Sequence, residues 1–180
     1  IRDAAALLDA VAAPPVGDTY EAAAAVRPYR EAIRTDPGRL RIAMTWDAWS
    51  GVPVDPQVVA ATRRAAETLE WIGHTVVEAR PRVDAEDVVE AEMLGVYATG
   101  GAMLRAPRRP DPALLEAVSR AVLRKAAAAS ALDVLAGLDA RNRVTRPIGL
   151  FLAEHDLLVT PTLAALPAPH GTLNQDAEGQ

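Results

Sequence analysis

The sequence predicts an α/β fold: a few-stranded mixed or parallel sheet, with strands near 40–46, 74–79 and 156–160, covered by several helices. Three observations carry this expectation. The segment Leu40-Arg41-Ile42-Ala43-Met44-Thr45-Trp46 is apolar enough for a buried strand. An amphipathic stretch and then His74-Thr75-Val76-Val77-Glu78-Ala79 follow it, and strand, helix, strand over about 40 residues is the spacing of a βαβ unit with parallel strands and a right-handed crossover. Finally, 38 of the 180 residues are alanine, the strongest helix former, which favours helix while burying little area per residue.

Taken in order, Arg2 to Ala13 places Ala4, Leu7, Leu8 and Val11 at helical spacing, and Pro14-Pro15 stops that helix. Gly17 to Gly38 reads as a Pro-punctuated connector carrying Tyr20 and Tyr29, with a short helical run around Glu21–Val26. After the first strand comes a turn at Gly51-Val52-Pro53. Asp55 then offers an N-cap and Pro56 the first helical position. Val58, Ala65, Leu69 and Ile72 fall on one helix face, interrupted by Thr62, and Gly73 stands where a left-handed C-cap is wanted. Asp84 caps a helix over 84–104. Arg105 to Pro112 is a proline- and arginine-rich loop, and two helical stretches follow over 112–137 and 139–154, split near Gly137 and bent or broken at Pro147. Asp156-Leu157-Leu158-Val159-Thr160 is the third strand, ended by Pro161. Residues 162–180 read mostly as coil.

Composition removes several classes of function. There is no cysteine, so disulfides, thiolate metal sites and a cysteine nucleophile are excluded. The net charge is −5, with 18 arginines and one lysine, and supplies no basic face for nucleic acid. No apolar run is long enough to span a bilayer and the N-terminus has no export-signal pattern, so a cytoplasmic protein is expected. Ile1 stands where a start methionine would be, and the chain is therefore read as a portion of a longer product.

The familiar catalytic motifs are missing: no Gly-x-Ser-x-Gly, no Gly-x-x-x-x-Gly-Lys, no His-Glu-x-x-His. Between Met44 and Asp55 only Gly51 occurs, too little for a dinucleotide turn, so neither a cofactor nor a metal is expected. Gly100-Gly101 reads as close helix packing. Lys125 belongs to a solvated helix face, and Glu86, Asp87, Glu90 and Glu92 to a solvated acidic one. His74 is expected to bond the last carbonyls of the helix before it, and His155 to play a local structural role. A small-ligand site at the strand ends near Trp46–Trp49 would need polar groups, and Asp47 is the only charged one there.

Several segments in order resemble the amidase signature family of amide hydrolases and amidotransferase subunits. They are Arg2 to Ala12 with Pro14, Pro15 and Asp18; Leu40-Arg41-Ile42-Ala43; Gly51-Val52-Pro53-Val54-Asp55-Pro56; Leu69 to Ala79 around Gly73-His74-x-Val76; and Asp156-Leu157-Leu158-Val159-Thr160-Pro161-Thr162 with Pro167, Pro169 and Gly171. The resemblance implies a single piece of a larger amidase domain over 1–180, comprising the βαβ unit at 40–79, a helical region at 84–154 and mostly coil at 162–180. It also implies acyl transfer by a serine nucleophile, a bridging serine with a cis peptide and a lysine base. None of these three can be carried over, because Ser50, Ser119 and Ser130 are isolated and Lys125 lies outside any such motif. The chain is thus expected to be the portion after the catalytic signature, inactive by itself, its partner a small amide in the full-length enzyme, with homodimerisation left open. The resemblance further implies pocket-wall positions at Met93, Val96 and Tyr97 on a helix and at Thr160, Pro161 and Thr162 at a strand end. The competing reading is a non-catalytic interaction module related to an amidotransferase A subunit.

Overall fold

The structure is a computed structural model describing residues 1–13, 16–17, 23–174 and 176, and it divides into two units, 1–39 and 40–180. In the first unit, helix α1 (Arg2–Val11) packs against the single turn α2 (Tyr29–Ala32). Pro28 at the N-cap of α2 has no side-chain acceptor to offer. Asp9 of α1 supplies one instead, its carboxylate accepting from the backbone N–H groups of Tyr29 (2.6 Å) and Arg30 (3.1 Å) and from Arg30 Nε (3.1 Å). The helical turn thus lies at 29–32, whereas residues 23–25 of the expected run at Glu21–Val26 are irregular. Pro14, Pro15, Asp18, Tyr20 and Glu21 lie outside the described residues. Ala5 is the buried residue of α1, and the apolar stripe of Leu7, Leu8 and Val11 is exposed.

The second unit is built on a parallel sheet of three strands, β1 (Arg41–Met44), β2 (Thr75–Glu78) and β3 (Leu157–Val159), in the order β2-β1-β3. Ile42 pairs with Val76 on one side and with Leu157 on the other, so β1 is the central strand. Of its four residues Ile42, Ala43 and Met44 are buried, and Ile42 is the largest fully buried side chain among the described residues. Thr45 continues inward as the strand ends, and its N–H donates to Val159 O (3.0 Å). The α/β class, the three strands and the helical cover agree with the sequence reading.

Helix α3 (Pro56–Trp71) begins and ends as its sequence dictates. Asp55 accepts from the Gln57 N–H (2.7 Å), and Pro56 occupies the first position. Gly73, at φ +105°, closes a Schellman motif in which the Gly73 N–H donates to Glu70 O and the His74 N–H to Leu69 O. Two details differ from expectation. Thr62 is buried with Ala66, its hydroxyl satisfied by donating to Val58 O (2.9 Å), while Ile72 is exposed. The His74 ring turns from the helix carbonyls to the start of β1, where Nδ1 accepts from the Leu40 N–H (3.3 Å).

Between β2 and β3 run α4 (Ala85–Arg105), a 3-10 turn (Pro112–Leu114), α5 (Ala117–Ala128) and α6 (Ala131–Leu152), with α4 packed against both α5 and α6. The expected break at Gly137 is not there. The chain breaks at Ala129-Ser130, where Ser130 and Asp133 form a reciprocal capping box. Gly137 is instead a packing glycine: a Cβ there would lie 2.9 Å from the Leu94 side chain. α6 also runs through Pro147 rather than ending at it, with the ring inside a helix that continues to Leu152. Gly100 has the packing role expected for the glycine pair, since its Cβ would meet Ala126 and the Val122 carbonyl (2.8 Å), whereas Gly101 faces open space.

Candidate functional site

In a parallel sheet the loops leaving the carboxyl ends of the strands gather at one edge, and ligands of open α/β sheets bind there, most often where the strand order changes direction. Here β1 leads to β2 on one side and the chain later returns to β3 on the other. The carboxyl edge therefore collects Thr45–Asp47, Ala79–Arg80 and Thr160–Thr162.

Two cavities open at this edge. The first, of about 350 Å³, lies between α3 and the segment after β3 and is lined by Gln57, Val58, Thr62, Thr160, Pro161 and Thr162, among others. Pro161 forces the chain out of the sheet. The Asp55 N–H donates to Ala164 O (2.8 Å), pinning the outgoing segment to the start of α3. The Thr160 hydroxyl donates to Pro161 O (3.0 Å), a turn-forming contact. The second cavity, of about 490 Å³, is lined by Trp46, Asp47, Val52, Val54, Val59 and Arg80. Arg80 Nη1 stands 3.5 Å from Asp47 Oδ2, and the Arg63 guanidinium lies 4.4 Å from the centroid of the Trp46 ring.

Of the six pocket-wall positions expected from sequence, Thr160, Pro161 and Thr162 come together in the first cavity. Met93, Val96 and Tyr97 are half-buried on α4 and are not among its lining residues. Met93 and Val96 precede Gly100 by two turns and one turn, on the stripe that meets α5. Tyr97 stands three residues after Leu94 and three before Gly100, between the stripes that meet α6 and α5. Arg63 and Arg80 were not found from sequence, and they correct the expectation that Asp47 is the only charged group at Trp46–Trp49. The parallel register held a usable signal: Ala79 N–H donates to Met44 O (3.1 Å), so the residues just after β2 must stand beside those just after β1.

Several titratable groups away from this edge have structural partners. Arg143 of α6 donates to Asp87 (2.7 and 2.9 Å) and Glu90 (3.1 Å) of α4, so part of the acidic face is bridged to a neighbouring helix. The Arg143 hydrogen bond holds the Asp87 carboxyl below its usual 3.8. His155 is buried, stacked on Phe151 at 4.2 Å with Nδ1 3.0 Å from Phe151 O, which is the local role expected of it. Ser130 is committed to capping α6, and Lys125 sits exposed in the last turn of α5. Among the described residues no group of three His, Asp or Glu side chains could hold a metal ion, and no helix is long and apolar enough to cross a membrane.

A family model described as Amidase matches residues 1–180. The chain belongs to the amidase family. Its likeness to solved amidase structures is close: it superposes on a 6-aminohexanoate cyclic dimer hydrolase, solved with substrate, with a TM-score of 0.84 and 27% identity over 99% of this chain and 39% of that one. Curated 6-aminohexanoate-cyclic-dimer hydrolases from Pseudomonas sp. (strain NK87) and Paenarthrobacter ureafaciens are each 43% identical over 82 residues, which make up 45% of this chain and 17% of theirs. The amidase match therefore spans well under half the length of these relatives. The βαβ unit and the return to β3 are accordingly the architecture of an amidase.

Proposed function

We propose that this chain is the C-terminal-side portion of an amide hydrolase. In that reading it supplies sheet support and part of the substrate-pocket wall, while the Ser-cis-Ser-Lys machinery lies on other segments of the complete enzyme. The observation that carries the reading is the superposition of nearly the whole chain on 39% of a cyclic dimer hydrolase. Two further features support it. Ser130 is taken up in capping α6, and Ser50 and Lys125 are exposed. The apolar side chains Leu132, Leu135 and Leu150 of α6 are exposed, as expected of surfaces covered by further amidase structure.

In the complete enzyme the serine hydroxyl would attack the amide carbon as its proton passes through the bridging serine to the neutral lysine. Backbone N–H groups stabilise the oxyanion, the amine leaves and water releases the acid. The substrate class is a small linear or cyclic amide in a cytoplasmic setting. Thr160, Pro161 and Thr162 contribute to the pocket wall at the carboxyl end of β3, whereas Met93, Val96 and Tyr97 lie outside that cavity, on the helix α4 that packs against α5 and α6.

The test has two arms. The isolated chain is incubated with 6-aminohexanoate cyclic dimer, hexanamide and an aryl amide, then with a fluorophosphonate. Neither turnover above buffer nor an adduct at Ser50, Ser119 or Ser130 is expected. The longer gene product is expected to hydrolyse one of these amides and to take the label at a serine outside these 180 residues. Labelling or turnover by the isolated chain refutes the division of labour, and a longer product inert to every amide and to the label refutes the hydrolase itself.

A further inference from the structure

We infer that the cavity where β1 and β2 end is a binding site for a small molecule carrying an ammonium and a carboxylate on one carbon: an α-amino acid with an apolar side chain. The proposal concerns binding by this chain alone and does not depend on where amide chemistry is done.

The polar end of the site is the Asp47–Arg80 pair. At 3.5 Å its N···O separation exceeds the 2.7–2.9 Å of a closed charge-assisted hydrogen bond. The two groups therefore attract one another while the guanidinium retains donors and the carboxylate retains lone pairs. Hydrogen bonds of the backbone hold the two segments that carry these side chains. Ala79 N–H donates to Met44 O (3.1 Å), locking the ends of the two strands, and Asp47 N–H donates to Thr45 Oγ1 (3.2 Å). A ligand with a single charge would be attracted by one partner and repelled by the other. Adjacent ammonium and carboxylate groups match both, the carboxylate on Arg80 and the ammonium on Asp47.

The apolar end receives the side chain. Trp46 forms a platform held by Arg63 at 4.4 Å, and Val52, Val54 and Val59 make up the wall. The intervening loop is shaped in advance. Gly51, at φ +74°, closes a turn onto Ala48 O (2.9 Å), and Asp55 is tied to Ala164. A volume of about 490 Å³ lies within the range of small-ligand sites, and the open, largely polar cleft sets the Asp47–Arg80 cluster beside the side chains of Trp46, Val52, Val54 and Val59.

The experiment is an ¹⁵N–¹H NMR titration of the 180-residue chain with L-leucine, set against 4-methylpentanoate and isoamylamine, which each keep its carbon skeleton beyond the lost group and one of its two charges. Leucine is expected to shift the backbone amides of residues 46–54, Ala79 and Arg80 saturably. Each single-charge analogue should bind at least tenfold more weakly. Asp47→Asn and Arg80→Gln should each weaken leucine binding at least tenfold without altering amide dispersion elsewhere, since both side chains are half exposed. Absence of a saturable shift in these amides, equal binding of the analogues, or undiminished binding by Asp47→Asn overturns the proposal.

Discussion

The backbone of Gly100 in α4 lies so close to Val122 in α5 that a Cβ on the glycine would stand 2.8 Å from the valine carbonyl oxygen. The obstacle is backbone, and it cannot swing aside. Gly100→Ala is therefore expected to push α4 and α5 apart and cost about 1–3 kcal/mol, the usual penalty of overpacking. Gly101→Ala provides the contrast: its Cβ meets nothing within 4 Å, and alanine is favoured over glycine in a helix by about 1 kcal/mol. Urea unfolding midpoints of the two variants should move in opposite directions.

Arg143 joins α6 to α4 through Asp87 and Glu90. Arg143→Gln is expected to lower the melting temperature modestly in low salt and to have less effect in 1 M NaCl, because exposed ion pairs are screened. The Arg143 contact depresses the Asp87 carboxyl in the folded state, so its stabilisation is full above the unfolded value of 3.8 and disappears as pH falls through the lower folded value. A melting series from pH 6 to pH 2 should show the difference between wild type and Arg143→Gln shrinking across that acid window.

Asp9 caps α2 from a different helix, and this is a tertiary device in a unit with few other contacts. Burial raises its carboxyl, but the hydrogen bonds from Arg30 and Tyr29 outweigh that and hold it below 3.8. Asp9→Ala should speed amide exchange at Tyr29 and Arg30 markedly while leaving the amides of β1 protected. In the unsubstituted chain the same acceleration should set in only as pH drops below the usual carboxylate value.

Ser130 decides where α5 stops and α6 starts. Ser130→Ala removes one half of the capping box and is expected to cost about 1 kcal/mol, while Ser130→Asp, which keeps an acceptor at the N-cap, should recover part of it. Thermal unfolding of the three proteins distinguishes them.

What could be read from the sequence was local chemistry. Asp55-Pro56 and Gly73 announced both ends of α3 because a cap, a proline and a positive φ each act within a few residues. Gly137 was misread because glycine has two uses in a helix, as a terminator and as a space-maker, and only the presence of Leu94 on α4 selects the second. Thr62 looked like an interruption until its hydroxyl had an acceptor within its own helix. Arg80 and Arg63 escaped notice because they reach Asp47 and Trp46 through the sheet register and the placement of α3, which exist only once the chain is folded.

The strand order has a consequence for how the chain assembles. Contacts between the starts of β1 and β2 span 34 residues, whereas those joining the starts of β1 and β3 span 115. Closing the longer loop costs only about 1 kcal/mol more, because the entropy grows with the logarithm of length. The β1–α3–β2 crossover unit can thus form early and β3 dock last. The same logarithm makes the helical insert elastic in evolution: lengthening it by half would tax the sheet by only about 0.4 kcal/mol, so α4 to α6 can be remodelled while the three strands stay as they are.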